Sequence, residues 1–226
     1  KPVCFTVTGL EESEGQLHLR LSRRAAQEKA LAAMLEGWRP GQIISARVTH
    51  LEPFGAFVDV GCGVTSLIGV ENISVSRISH PAARFQVGQD IRAAVLDLDP
   101  GLGRIYLTHK ELLGTWAENA AIFQPGMTVP GVVRGIKDYG AFIELTPNLS
   151  GLAERDSRLA EGERVSVYIK AILPERTKIK LLVIEPLPPL SQVQPLRYFI
   201  REGRLEYWKY APPGCLKVGA ETIFGD

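Results

Sequence analysis

The sequence has few of the features that mark a membrane protein, a secreted protein or a strongly basic one. No apolar run approaches the length of a membrane span, and no signal-peptide pattern is present. The three cysteines, Cys4, Cys62 and Cys215, are far apart and odd in number, which favours free thiols in a reducing cytoplasm over a disulfide framework. The formal net charge of +1 does not indicate a nucleic-acid partner as a basic chain would. We therefore expect a cytoplasmic protein with no membrane partner.

Motifs for catalysis or metal binding are also missing. The four histidines are scattered, none of them pairs with a cysteine at metal-ligand spacing, and no nucleophile motif or phosphate-binding glycine loop occurs. Asp97 and Asp99 are close in sequence but fit a turn better than a carboxylate pair. We expect a non-enzymatic fragment without cofactor or metal, although a longer parent chain could carry an enzyme.

An internal repeat organises the chain. Residues 40–60 align without a gap with residues 125–145, and after a shorter loop in the second copy residues 87–108 align with residues 161–182. A partial copy at residues 5–22 resembles only the last two strands of the repeat. The chain therefore opens within a repeat, which suggests a piece of a longer array; a processed terminus is the alternative.

Each full copy predicts a small β-barrel. Short β-rich runs alternate with Gly, Pro and Asp turns, and closing about five such strands into an oligonucleotide-binding (OB) type barrel removes exposed sheet edges. Residues 22–38 and 108–123 are instead rich in Ala and Leu and predict linking helices, the second with a capping box from Thr108 to Glu111. The expected fold is mainly β, with tandem barrels joined by short α-helices.

The strand after Gly55 predicts an aromatic side chain on the outer wall of the first barrel. Because successive side chains alternate between the two faces of a strand, Val58 and Val60 should point inward, and Phe57 and Asp59 outward. The same parity in the second copy places Phe142 and Glu144 outside.

A second aromatic residue precedes the glycine in each copy. We call Phe54 with Phe57 the first hook, and Tyr139 with Phe142 the second hook. Two adjacent rings on a barrel wall can stack unpaired bases, at roughly 1–3 kcal/mol per base. The alternative is that one ring of each pair folds over the barrel end as part of the core.

These elements in this order resemble the S1-type RNA-binding repeat of the bacterial ribosomal protein S1 family. The resemblance is carried by FGAFV, a Gly-Leu loop, VGQDI, VLDLD and RIYLT. It implies five-stranded OB-fold barrels that bind single-stranded RNA through the four hook residues. The resemblance covers residues 41–110 well, 126–185 moderately, and 5–22 as a half-repeat.

Several basic side chains near the hooks are candidate phosphate contacts. Arg77 matches a basic position of the family, although a solvated loop arginine is an equal alternative. His50 falls near another commonly basic position, whereas Arg134 and Lys137 lie beside Tyr139 in the second copy without matching that position residue for residue. Such contacts would fix the register of RNA without reading its sequence.

The sequence departs from the family at one loop position in each copy. Where the family often has histidine, the first copy has Gly69 and the second has Glu154. The RNA contact at this position is thereby removed or reversed in sign. We expect the first full repeat to bind RNA, and the shortened last repeat to be partly structural.

The resemblance divides the chain into six segments. In order they are the end of a preceding repeat, a helical linker, a full repeat, a second helical linker, a shortened repeat, and a Pro-rich linker with an aromatic tail, at residues 1–22, 23–40, 41–110, 111–125, 126–186 and 187–226.

The tail predicts a β-hairpin extension around Glu202 and Gly203. Its aromatic residues are expected to pack onto the last barrel; they are Tyr198, Phe199, Tyr207, Trp208 and Tyr210. The alternative is a second stacking surface or a docking site for a protein partner, formed by Trp208, Tyr210, Arg197, Arg204 and Lys209.

Two functional hypotheses follow. The first is a module that binds single-stranded RNA, expected to be messenger RNA, in a translation protein that could associate with the 30S ribosomal subunit. The second is a scaffold of degenerate repeats that contacts other proteins, which the near-neutral charge would suit.

Overall fold

The computed structural model describes residues 3–13, 15–189, 195–215 and 219–225, and confirms a mainly β fold with two closed five-stranded barrels. A hairpin precedes them, formed by β1 (Thr6–Ser13) and β2 (Gln16–Ser22), and helix α1 (Arg23–Gly37) follows it. The first barrel contains β3 (Ile43–Glu52), β4 (Gly55–Asp59), β5 (Thr65–Gly69), β6 (Asp90–Asp99) and β7 (Arg104–Thr108). After helix α2 (Trp116–Ala120), the second barrel contains β8 (Thr128–Lys137), β9 (Gly140–Thr146), β10 (Leu149–Ala153), β11 (Arg164–Leu173) and β12 (Lys178–Pro186). A short strand pair closes the chain, β13 (Tyr207–Lys209) and β14 (Glu221–Ile223).

The two barrels have the same topology. The strand order is β3-β4-β5-β7-β6 in the first and β8-β9-β10-β12-β11 in the second. In each barrel one pair is parallel, β5 with β7 and β10 with β12, and the other pairs are antiparallel. A bulge interrupts β3 between Val48 and His50, and β8 carries one at the equivalent place, between Val133 and Gly135. The repeat seen in the sequence is therefore a repeat of backbone geometry.

Alternation along β4 and β9 separates core from wall as the sequence predicts. Val58 and Ile143 are fully buried in their barrel cores, whereas Phe57 and Phe142 are half-buried on the outer wall. Burial of the inward residues stabilises each barrel, at about 1.5–3 kcal/mol for a large aliphatic side chain. Phe57 and Phe142 therefore do not belong to the barrel cores.

Helix α1 begins and ends as expected for residues 22–38. The Ser22 hydroxyl accepts a hydrogen bond from the Ala25 amide at 3.1 Å and caps the first turn. Trp38 follows the helix and packs against the core of the first barrel.

The second linker differs from the predicted single helix. It has a 3-10 turn at Lys110–Leu113, and then helix α2, separated by Gly114 with a φ of +84°. The predicted capping box from Thr108 to Glu111 is wrong, because Thr108 is still part of strand β7. The capping box joins Thr115 to Glu118 instead.

The β1–β2 hairpin reproduces the pairing of β6 with β7. Its bulge between Val7 and Gly9 corresponds to the bulge between Val95 and Asp97 in the first barrel. The described residues do not include the other three strands of a barrel around it, and its apolar side chains are therefore exposed to solvent. Leu19 is 56% exposed, whereas Ile105 at the equivalent position is 5% exposed.

The barrels contact each other through the loop between β5 and β6 of the first barrel. The Ser76 amide donates to the carbonyl of Pro147 at 3.1 Å, and the Val75 amide donates to Oδ1 of Asn148 at 2.9 Å. The Asn148 side-chain amide also donates to the carbonyls of Lys110 and Gly114, at 2.7 and 2.8 Å. Asn148 is completely buried and joins the first barrel, the linker and the second barrel.

The predicted hairpin around Glu202 and Gly203 is wrong in position. The backbone there pairs with the start of the first barrel, since the Ile43 amide donates to the Gly203 carbonyl at 3.0 Å and the Leu205 amide to the Gly41 carbonyl at 2.9 Å. The two-stranded extension is formed by β13 and β14 instead. Residues 190–194 of the predicted Pro-rich linker lie outside the described residues.

The tail packs on both barrels, whereas the sequence predicted the last barrel alone. Tyr198 accepts a hydrogen bond from the Arg92 amide of the first barrel at 3.2 Å. Tyr210 packs against the core of the second barrel and donates its hydroxyl to the Asn148 carbonyl. Trp208 is only 4% exposed, so it contributes to packing and not to a stacking surface.

Candidate nucleic-acid interface

The first hook lies on the outer wall of the first barrel. Phe54 is 56% exposed, and its ring stands edge-on to Phe57, with centroids 5.9 Å apart and an interplanar angle of 90°. Gly55 comes directly after Phe54. A larger residue does not fit at this position, because its Cβ atom would lie 2.5 Å from the Ile68 carbonyl oxygen. The close approach of β4 and β5 therefore requires glycine between the two rings. Neither ring belongs to the barrel core, which the alternative interpretation required of one of them.

His50 extends the first hook on the neighbouring strand. It pairs with Phe57 across β3 and β4, and the two ring centroids are 6.2 Å apart. Its Nε2 lies 2.6 Å from a carboxylate oxygen of Glu52. Phe54, Phe57 and His50 thus form a continuous ring surface whose outer end is polar.

Arg77 lies in the loop between β5 and β6. It is exposed, and no hydrogen bond or ion pair joins it to another described residue. The structure leaves its guanidinium available to solvent.

The second hook repeats the first in geometry. Tyr139 is 69% exposed, and its ring is edge-on to Phe142, with centroids 6.1 Å apart and an interplanar angle of 88°. Gly140 between them has a φ of +149°, and a Cβ atom there would lie 2.4 Å from the Ala153 carbonyl oxygen. Lys137, at the end of β8, is exposed beside this hook.

Arg134 is bound to a carboxylate within the protein. Its Nε and Nη2 donate to the two carboxylate oxygens of Glu144, at 2.8 and 3.2 Å. Glu144 also forms an ion pair with Arg84, which the loop of the first barrel carries. Glu144 faces out of its own barrel, as predicted, yet it is only 7% exposed because the first barrel covers it.

Burial has an electrostatic effect on this cluster. Removal from water lowers the pKa of the Arg84 guanidinium, and the nearby Glu144 carboxylate opposes that change. No pattern in the sequence indicates this role for Arg84. At the position equivalent to Glu144, Asp59 instead accepts hydrogen bonds from the Gly61 and Gly63 amides.

The two loop positions that depart from the family pattern have different surroundings. A Cβ atom at Gly69 would lie 2.3 Å from a carboxylate oxygen of Glu71, so a larger residue requires that side chain to move. Glu154 lies 3.4 Å from the Lys170 ammonium and is 85% exposed. Glu154 therefore presents a negative charge to solvent on the second barrel.

The part of the chain that the structure describes contains neither a membrane-spanning helix nor a group of side chains suited to a metal ion. Within it, no helix is long and apolar enough to cross a membrane. The same residues contain no group of three or more His, Cys, Asp and Glu side chains arranged to hold a metal ion.

Comparison with known proteins identifies the repeat. The S1 RNA binding domain profile matches residues 38–110. The small ribosomal subunit protein bS1 of Leuconostoc lactis is 34% identical over 204 residues, 83% of this chain and 47% of that protein. Its counterpart from Staphylococcus aureus is 30% identical over 184 residues, 74% of this chain and 47% of that protein. A solved multidomain protein with nucleic acid binding domains from Streptococcus pneumoniae has 17% identity and a TM-score of 0.32, covering 77% of this chain and 58% of its own.

The matches cover only part of each bS1 protein. This chain spans about half the length of the curated relatives that it matches, at 47% of each of the two bS1 proteins. The matches and the two closed barrels with their repeated hooks together show that the chain is a member of the S1-type repeat family.

Proposed function

We propose that this chain binds single-stranded RNA by stacking unpaired bases on its two hooks. The observation that carries the proposal is the edge-to-face pair of exposed Phe54 and half-buried Phe57 on the outer wall, repeated at Tyr139 and Phe142. Aromatic rings on an OB-type wall bind successive bases with little sequence preference, because every base presents a π-face.

Polar groups beside the hooks supply phosphate contacts in this proposal. His50 borders the first hook and Lys137 the second, while Arg77 is exposed in the long loop of the first barrel. The ion pair with Glu144 leaves Arg134 less of its guanidinium for a phosphate. Such contacts add affinity without base specificity, and their strength falls with salt.

The relatives support a proposal for the biological setting. Because the matched proteins are named as components of the small ribosomal subunit, we propose that the parent protein acts in translation, binding messenger RNA in the bacterial cytoplasm. Its role there is binding and not catalysis.

The scaffold hypothesis has less support. It predicts that the aromatic tail contacts another protein, but Trp208 and Tyr210 are packed within the chain. Tyr207 is the tail aromatic that stays half exposed.

Fluorescence anisotropy with a labelled single-stranded RNA tests the proposed function. The variant is Phe54→Ala/Phe57→Ala, and Tyr207→Ala is the matched control, because it removes an exposed aromatic side chain outside the hooks. We expect the hook variant to bind about 5- to 150-fold more weakly for each base that no longer stacks, and the control to bind as the wild type does. Circular dichroism checks that each variant is folded. Unchanged affinity in a folded hook variant would contradict the proposal.

A further inference from the structure

A cleft lies between the two barrels and the tail. Its cavity has a volume of about 510 Å³, within the range that holds small ligands. The first barrel contributes the turn before β6, and the second barrel contributes β8, β9 and Arg164 at the start of β11. The tail contributes residues 195–197 and Phe199, and part of the linker completes the wall. The tail is not part of the repeat, so this cleft is a feature that a barrel alone does not have.

The charged side chains that line the cleft are mostly basic. Arg84 and Arg134 share the carboxylate of Glu144, the one acidic side chain among the described lining residues. Arg164 and Arg197 also line the cleft, and neither forms an ion pair with a described carboxylate. The walls therefore carry an excess of positive charge that favours an anionic occupant.

These two arginines are held by neutral groups. Nη1 of Arg164 donates to the Pro188 carbonyl at 3.2 Å. The guanidinium of Arg197 lies over the Phe199 ring, 5.0 Å from its centroid, in a cation–π contact. Arg197 is exposed, which places an accessible cation at the rim of the cleft. Because a carbonyl group and an aromatic ring carry no net charge, these contacts fix the two guanidinium groups and leave their charge uncompensated.

The cleft adjoins the second hook. Phe142 and Glu144 are on the same outer face of β9, two residues apart, which corresponds to about 7 Å along a strand. Glu144 is part of the cleft wall. A strand stacked on Tyr139 and Phe142 and extended along β9 would therefore reach the cleft directly.

We propose that the cleft receives the sugar-phosphate backbone of the same single-stranded RNA as it leaves the second hook, with Arg164 and Arg197 contacting phosphates. This inference rests on the proposed function. It makes the tail a part of the RNA path, since Arg197 comes from the tail and its position depends on Phe199. The contact is electrostatic and independent of base identity.

The salt dependence of RNA affinity measures these contacts. For single strands, removing one phosphate contact lowers the slope of log Kobs against log salt concentration by about 0.7. We expect Arg164→Gln/Arg197→Gln to lower the slope by about 1.4 for a labelled RNA long enough to span both hooks and the cleft. Arg24→Gln/Arg176→Gln removes the same charge from two exposed sites outside the cleft and should leave the slope unchanged.

A conservative variant and the hook variant separate the possible outcomes. Arg164→Lys/Arg197→Lys keeps both charges and should retain the wild-type slope; a slope as low as that of the Gln pair would overturn the phosphate assignment. Equal slopes for the Gln pair and its control, with binding still weakened in Phe54→Ala/Phe57→Ala, would overturn the cleft proposal and leave the proposed function intact. Unchanged binding in the folded hook variant would instead reject the proposed function. Inorganic phosphate should displace the RNA from the wild type and from the Gln pair to different extents. Equal displacement from both proteins would also count against the cleft proposal.

Discussion

The guanidinium of Arg84, carried by the first barrel, forms an ion pair with the carboxylate of Glu144 on strand β9 of the second barrel. Both side chains are nearly inaccessible to water, at 3% and 7% exposure. Burying two charges costs several kcal/mol for each ion, and the pair recovers that cost only while both partners are present. The contact between the barrels therefore depends on a mutual electrostatic match.

Replacing Glu144 by Gln should strongly destabilise the protein. The change leaves Arg84 buried without a counter-ion, for an expected loss of about 3–5 kcal/mol in the free energy of unfolding. Urea denaturation measures the loss. Asp59→Asn at the equivalent position of the first barrel is the control, and should cost no more than about 1 kcal/mol, because the amide oxygen can still accept from Gly61 and Gly63. Equal losses for the two variants would show that the inter-barrel pair has no special importance.

Gly41→Ala should detach the tail, and Gly126→Ala should not. The two glycines are equivalent in the repeats and have similar φ values, +82° and +95°. Each substitution carries a backbone strain of about 1–3 kcal/mol, but only at Gly41 would the new Cβ meet the tail, 1.7 Å from the Leu205 carbonyl oxygen. In limited digestion, trypsin should cut at Arg201 and Arg204 faster in Gly41→Ala than in the wild type, whereas Gly126→Ala should be cut at the wild-type rate. Similar cleavage rates in both variants would contradict the docked position of the tail.

Stability should fall on acidification because of His109. Burial lowers its pKa to about 4, below the ordinary 6.5; the hydrogen bond to the Ile73 carbonyl opposes this shift, and the positive charge of Arg84 adds to it. Its Nδ1 lies 2.8 Å from the Ile73 carbonyl and its Nε2 lies 3.1 Å from the Tyr198 hydroxyl, which suits the neutral ring. The unfolded chain binds the proton first as the pH falls, so stability is full above about pH 6.5 and is lost progressively down to about pH 4.

The expected loss from this one group is about 2 kcal/mol between pH 7 and pH 5. It is measured as the difference between urea unfolding free energies at the two pH values. His109→Gln should reduce this difference, whereas His18→Gln on the exposed hairpin should retain it. A pH dependence that survives in His109→Gln would assign it to other groups.

Thr222→Val should weaken the attachment of the tail to the linker. The Thr222 hydroxyl donates to Oε1 of Glu111 at 2.6 Å, and Thr108 donates to the other carboxylate oxygen at 2.6 Å. Glu111 is completely buried, so removal of one donor should cost about 1–3 kcal/mol in unfolding free energy. Thr222→Ser keeps the hydroxyl and should recover most of the loss. If Ser and Val variants are equally stable, packing and not the hydrogen bond determines the contribution of this residue.

The barrels and hooks could be predicted because their signals are local and repeated. Alternation along β4 assigns Phe57 to the outer wall, and the copy in β9 provides an independent instance in Phe142. Glycine at positions 55 and 140 allows the close strand approach beside each hook, directly after the exposed ring of Phe54 or Tyr139. These patterns depend on strand geometry alone.

The linker and the tail depended on tertiary contacts that sequence spacing does not reveal. Thr108 and Glu111 have the spacing of a capping box, and they do form a hydrogen bond, but β7 extends through Thr108 and the carboxylate also binds Thr222 of the tail. The pair of Arg84 and Glu144 joins residues 60 positions apart with no periodic signal. Alternation along β9 correctly predicts that Glu144 faces out of its barrel. The first barrel then buries it, and no pattern within one strand indicates that contact.

The docking of the tail on the first barrel has a consequence for folding kinetics. Nε of Arg204 donates to the carbonyl of Pro40 at 2.9 Å, across 164 residues of sequence. Closing so long a loop has an entropic cost that precedes the stabilisation from the contacts it forms. Contacts between residues far apart in sequence therefore slow folding. Individual barrels can form from pairings within about 70 residues, and the tail can join them only once both surfaces exist. Because the docked tail then contacts both barrels, their unfolding is coupled, and they should melt as one cooperative unit.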